Sequence, residues 1–167
     1  MVILGIDPGL AIVGWGVLRY EKSKFTPIGF GSIQTPAHTP TEDRLKIIFD
    51  DLNTIIQKYK PESVSIEELF FTNNITTGIR VAEARGVILL CAKNHEIPVY
   101  EYTPPQVKQA VVGYGKAEKH QVIDMVTRIL NLSKPPKPDD TADALALAIC
   151  HGHSFNSQLS PYFNLPT

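Results

Sequence analysis

The residues of this chain with the most chemistry to offer are acidic, and they fall where strands should end or a helix should begin. Asp7 closes the apolar run from Val2 to Ile6 and is followed by Pro8 and Gly9. A carboxylate there would lie at the carboxyl edge of a buried strand, where open α/β sheets hold their ligands. Asp-Pro-Gly is equally good turn chemistry, and spacing alone does not choose between the two. Glu67 and Glu68 follow the short apolar stretch Val64-Ser65-Ile66. Successive residues of an extended chain point to opposite faces, so one of the pair at most can share a face with Asp7. Asp140 and Asp143 lie three apart at the start of a helical stretch and share a helix face. Acids in a first turn also complement the helix dipole, and Asp139 could serve as an N-cap. Clustered carboxylates repel one another unless a cation neutralises them. Hard oxygen donors select magnesium or manganese. Two such ions about 3.5–4 Å apart can activate a water and stabilise the leaving oxygen of a phosphodiester. No Ser-His-Asp or Cys-His pattern, phosphate-binding P-loop or dinucleotide fingerprint competes with this reading.

The elements that would carry these acids can be read from the apolar pattern. Val2 to Ile6, Val13 to Tyr20 and Pro27 to Gln34 read as three meandering strands, with a polar turn at Glu21 to Lys24. A helix follows, with Thr39 as N-cap, Pro40 in its first position and Glu42 completing a capping box; its stripe runs from Leu45 to Tyr59 and Pro61 closes it. Ser63 to Ile66 is a fourth strand leading to Glu67. Ile75 to Asn94 reads as a long helix, apolar on more than one face, with Ala82, Ala84 and Gly86 allowing close approach. One side would meet the sheet and the other a partner subunit. Pro98 to Tyr102 is the fifth strand. Helices are expected from Thr103 to near Gly113, from Lys116 to Leu130, and from Asp139 to His151 with a stop near Gly152. Three strands followed by strand–helix alternation imply an α/β fold: a mixed five-stranded sheet, its first three strands antiparallel, flanked by helices on both faces. Residues 1–153 read as one domain and 154–167 as a flexible tail.

Composition sets looser bounds. The chain has 167 residues, 43% of them hydrophobic, which suits one domain with its own core. The formal net charge is −1, so any nucleic-acid surface must be local. The N-terminal apolar run is too short for a signal peptide core or a membrane span. The expectation is a cytoplasmic protein without a membrane partner. Cys91 and Cys150 lie in apolar helical stretches without metal-ligand spacing and read as buried free thiols.

Six segments, taken in order, carry a resemblance. They are Gly5-Ile6-Asp7-Pro8-Gly9, Ser65 to Phe70, Ala84-Arg85-Gly86, Gln106 to Gln109, Gly113 to Lys119 and Asp140 to Ala146. Together they resemble the RuvC family of bacterial Holliday junction resolvases, over residues 2 to about 153. The resemblance implies a ribonuclease H-like fold and a homodimer that makes paired symmetric nicks in four-way DNA junctions during recombination and repair. It implies 5'-phosphate and 3'-hydroxyl ends, two Mg2+ ions per site with Mn2+ as a substitute, and work alongside the branch-migration proteins RuvA and RuvB. It selects Glu67 over Glu68 and gives catalytic and metal-binding roles to Asp7, Glu67, Asp140 and Asp143. The third position is histidine in some relatives and aspartate here. A two-fold dimer also matches a substrate with two-fold symmetry.

The same resemblance bears on DNA contacts. Lys108, Lys116 and Lys119 could be a solvated helix face. The resemblance matches Lys108 and Lys119 to DNA-contacting positions, and Lys116 is grouped with them; such lysines bind phosphate and supply affinity without sequence information. Gly113 could let the backbone approach a phosphate or could be a helix stop. Phe70 is implied to stack on a base at the opened junction centre, while Phe71, Arg80, Arg85, His151 and His153 receive no role. His151 and His153 read as helix-end residues. Three alternatives stay open: a nuclease of this fold acting on RNA–DNA hybrids, an ATP-binding protein of the actin and sugar-kinase type, and a junction-binding protein without catalysis. The second needs two related domains, for which the chain is short.

Overall fold

The computed structural model describes residues 1–69 and 75–158. The strands are β1 (Val2–Asp7), β2 (Ile12–Glu21), β3 (Lys24–Gln34), β4 (Ser63–Glu67) and β5 (Val99–Tyr102). The helices are α1 (Thr41–Tyr59), α2 (Ile75–Asn94), α3 (Pro104–Val112), α4 (Lys119–Ile129) and α5 (Asp139–Gln158). The strands form one sheet in the order β3-β2-β1-β4-β5. β2 runs antiparallel to β1 and β3, while β4 pairs parallel with β1 and with β5. This is the mixed, ribonuclease H-like sheet that the sequence predicts.

β1 is central, and its continuous apolar run is explained by cores on both faces. Leu4 and Ile6 pack with Val64, Ile66 and the buried residues of α1 and α2, whereas Ile3 packs with residues of α3, α4 and α5. Ile3, Leu4 and Ile6 are fully buried, and each such burial stabilises the fold by roughly 1.5–3 kcal/mol. The alternation along β1 therefore turns Ile3, Gly5 and Asp7 toward α5. Along β4 it turns Ser63, Ser65 and Glu67 the same way.

The elements differ from expectation mainly at their ends. β2 and β3 close a hairpin at Lys22 and Ser23, both with positive φ (49° and 62°), so β3 begins at Lys24. Both residues in the left-handed region match the twist of a two-residue hairpin turn. Pro27 is tolerated because β3 is an edge strand. The capping box expected at Thr39 does not form. Pro40 itself is extended (ψ 144°) and caps α1 without a side-chain bond, its carbonyl accepting from the Arg44 amide at 3.1 Å. α4 starts at Lys119 and not Lys116, because Tyr114 to Ala117 close a turn and Glu118 makes a capping box with Gln121. Gly113 is the left-handed stop of α3. The last helix does not stop near Gly152 but continues to Gln158. A Cβ on Gly152 would lie 2.4 Å from the Phe25 ring, so this glycine admits a close neighbour and does not end the helix. Phe70 and Phe71 lie outside the described residues, as does the tail beyond 158. Cys91 and Cys150 are buried free thiols, as expected.

Candidate active site

The four predicted carboxylates come from three elements. Asp7 ends β1, Glu67 ends β4, and Asp140 and Asp143 lie in the first turns of α5. β1 and β4 are parallel neighbours, with Ile6 paired to Ile66, so both strands deliver an acid to the same edge and face. α5 reaches that face because the strands beneath it lack side chains. A Cβ on Gly5 would lie 2.0 Å from the Ala144 carbonyl oxygen, and one on Gly14 would lie 2.0 Å from that of Asp140. These are backbone atoms that cannot step aside. Two polar bonds fix the helix further: Ser65 Oγ donates to the Leu147 carbonyl at 2.8 Å, and Thr141 Oγ1 donates to the Gly31 carbonyl at 3.0 Å.

The acids share one electrostatic neighbourhood. Asp7 is pushed up to about 8, first by burial and then by Asp143, Glu67 and Asp140, with Lys119 opposing. Glu67 is raised by burial and by Asp143, while Lys119 and Lys108 pull it down. Asp143 is raised by burial against the stabilising bond from Lys119. Lys119 Nζ lies 2.9 Å from Asp143 Oδ2, and that bond raises the lysine in turn. Among the described residues, no group of three or more His, Cys, Asp or Glu side chains is gathered tightly enough to grip a metal ion. In this arrangement the cation paired with Asp143 is the Lys119 ammonium.

Two cavities meet at Glu67. One of about 440 Å³ is lined by Asp7, Pro8, Glu67, Val81 and Pro104 among others. The second, about 220 Å³, is lined by Glu67, Asp143, Lys108, Lys119 and Val122 among others. Lys108 and Lys119 therefore stand beside the acids. Lys116 is exposed on the α3–α4 turn and lines neither cavity. Arg85, without a role from sequence, pairs with Glu101 at 2.8 Å and reaches the Glu67 carbonyl at 3.4 Å. It ties α2 to the ends of β4 and β5. His151 and His153 are not helix-end residues. His151 is buried, its Nδ1 2.8 Å from the Tyr102 hydroxyl, and His153 Nδ1 accompanies the Ala110 carbonyl at 3.1 Å. Ser65, polar in the middle of a buried strand, is the residue in the sequence that signals this packing, since a polar group there needs a partner. Nothing in the sequence marks Gly5 and Gly14 as a helix bed, because their contacts are more than a hundred residues away.

Known proteins resemble this chain in sequence and fold. Residues 3–151 match the family model described as crossover junction endodeoxyribonuclease RuvC. The chain is 55% identical over 156 residues to the crossover junction endodeoxyribonuclease RuvC of Alkaliphilus oremlandii, covering 93% of this chain and 95% of that one. It is 56% identical over 154 residues to that of Clostridioides difficile, covering 92% and 91%. The structure of Thermus thermophilus RuvC in complex with Holliday junction substrate superposes with a TM-score of 0.87 at 36% identity, over 95% of this chain and 96% of that one. With agreement in sequence over nearly the whole chain and in fold, the chain belongs to the RuvC family of crossover junction endodeoxyribonucleases.

Proposed function

We propose that this chain is a divalent-metal-dependent endodeoxyribonuclease that resolves four-way DNA junctions by paired symmetric nicks in recombination and repair. The observation that carries the proposal is the convergence of Asp7, Glu67, Asp140 and Asp143, in a member of this family, on one face of one sheet edge. The donor set fits a hard cation: all four groups offer oxygen, and burial and mutual repulsion make Asp7 costly to ionise without one. The acids are neighbours without being closed round a point, so their gathering would accompany the ion. Asp7, Glu67, Asp140 and Asp143 would hold Mg2+, two ions per site, with Mn2+ as substitute. When bound, such ions supply an activated water and neutralise charge at the leaving oxygen, giving 5'-phosphate and 3'-hydroxyl ends.

The protein's own groups have separate tasks. Asp7 would give up its proton to a bound cation, whose charge would offset the burial and the neighbouring carboxylates that hold its pKa near 8. Glu67 borders both cavities and so stands between Asp7 and the two lysines. Lys119 neutralises Asp143 in the free protein, and with Lys108 offers ammonium groups to the strand's phosphates. Phe70 is carried as a DNA contact by the family resemblance alone, and Lys116 by its place in the same lysine-bearing stretch as Lys108 and Lys119.

The homodimer is part of the proposal. α2 buries Ala84, Ile88, Cys91 and Ala92 against the sheet but leaves Ile79 51% and Leu90 57% exposed. Between them Gly86 has open space where a Cβ would go. A second copy laid on this face would cover the apolar residues and give a two-fold pair of sites for a two-fold substrate. RuvA and RuvB are the proposed partners and the bacterial cytoplasm the proposed location; no helix among the described residues is long and apolar enough to cross a membrane. Purified protein offered a four-way junction, a linear duplex and an RNA–DNA hybrid should cut the junction. Efficient hybrid cleavage with an untouched junction would overturn the proposal.

A further inference from the structure

A groove of about 490 Å³ lies beside the carboxylates, lined by the β1–β2 turn, by Arg44 of α1, by Arg80 and Val81 of α2, and by Asp140. Pro8 and Val81 also line the central cavity, so the two are adjacent. Lys108 and Lys119 approach the acids from α3 and α4, on the other face of the sheet. Basic groups thus flank the acids on two sides.

The arginines are placed differently from the other cations. Arg44 is half-buried, and its Nε donates to Thr35 Oγ1 at 2.8 Å; that hydroxyl donates to the Leu10 carbonyl at 2.6 Å. The guanidinium is therefore fixed to the turn that follows Asp7. Arg85 has Glu101 as its acid, whereas neither Arg44 nor Arg80 takes part in an ion pair among the described residues. Arg44 is a held guanidinium without a carboxylate and Arg80 is an exposed one beside it, and such groups match the fork geometry of phosphate oxygens. A small free anion would be repelled from a groove lined by Asp140 and lying beside its acidic neighbours. A phosphate joined covalently to one already held at the acids would not need to overcome that repulsion alone.

We infer that the Arg44–Arg80 groove binds a backbone phosphate of the strand being cut, adjacent to the scissile one and on the far side from Lys108 and Lys119. The inference rests on the nuclease reading proposed above. The test uses four-way junctions carrying one neutral methylphosphonate, walked along the strand on both sides of the cut, bound to full-length Asp7→Asn protein across a salt series. One position beside the cut should weaken binding roughly tenfold or more. Adding Arg44→Gln or Arg80→Gln should abolish the effect of that position and lower the salt slope by about one for each arginine. Arg80 is exposed and makes no side-chain hydrogen bond or ion pair among the described residues, so it keeps the test valid should Arg44→Gln lower the melting temperature. An unchanged salt slope, or an equal loss at every methylphosphonate position, would overturn the inference. If the unmodified protein also cuts the junction in magnesium, the failure is confined to the groove; if it cuts nothing, the nuclease reading falls as well.

Discussion

At the scale of single residues, the site stores a conflict that a cation resolves. Asp7 ionises near pH 3.8 when free and near 8 in the fold. Between those values the folded state binds more protons, so this group's contribution to stability falls as pH rises and is gone above about pH 8. Asp7→Asn should remove the penalty. In chelator it should be more stable than the parent, by nothing near pH 4 and on the order of 2 kcal/mol above pH 8, after allowance for partial exposure. Denaturant melts across pH would measure this; a parent as stable as the variant at pH 8.5 would contradict it. The same variant should cut junctions at least 100-fold more slowly while still binding them. Sequence placed Asp7 at a strand end, but could not choose Glu67 over Glu68 without the family. The pairing of β4 supplies the physical reason, because Ser65 and Glu67 share the α5 face.

At the scale of elements, close approach of α5 decides where two of the acids lie. Gly5→Ala would drive a Cβ into the Ala144 carbonyl. It should cost about 3 kcal/mol or more and depress cleavage together with stability, read by denaturant midpoint and by rate. Gly86→Ala should do the reverse in the single chain: with open space around it, the substitution favours helix by about 0.8 kcal/mol. It should nonetheless loosen the proposed dimer, as equilibrium sedimentation would register; an unweakened dimer would move the interface elsewhere. α5 and β5 also meet at His151, which burial holds down to about 4. Above the ordinary imidazole value of 6.5 its neutral form costs nothing. Below that the unfolded chain takes up the proton first, so stability should decline by up to about 3 kcal/mol as pH falls from 6.5 toward 4. His151→Phe should flatten that decline in thermal melts. The number of strands and helices was legible because periodicity reports which face is buried. Helix ends were less so: Pro40 and Glu118 displace more familiar caps within a few residues, and Gly152 answers to Phe25, far away in sequence.

At the scale of the whole molecule, a chain of net charge −1 must bind a polyanion through local basic groups. Junction affinity should therefore fall steeply with salt, and a flat response would count against Lys108 and Lys119 as phosphate contacts. The pairing of two chains should also govern symmetric cutting. Ile79→Glu with Leu90→Glu would charge the exposed face of α2, and should give monomers that lose paired nicks. The central claim is that four carboxylates on one sheet edge make this family member a metal-dependent junction nuclease. The most direct test is a magnesium titration on a synthetic four-way junction with both cut sites mapped. No cleavage in chelator, and paired nicks at symmetric positions appearing with magnesium and leaving ligatable 5'-phosphate ends, is the predicted result. Cleavage that persists in chelator, or that survives Asp7→Asn, would contradict it.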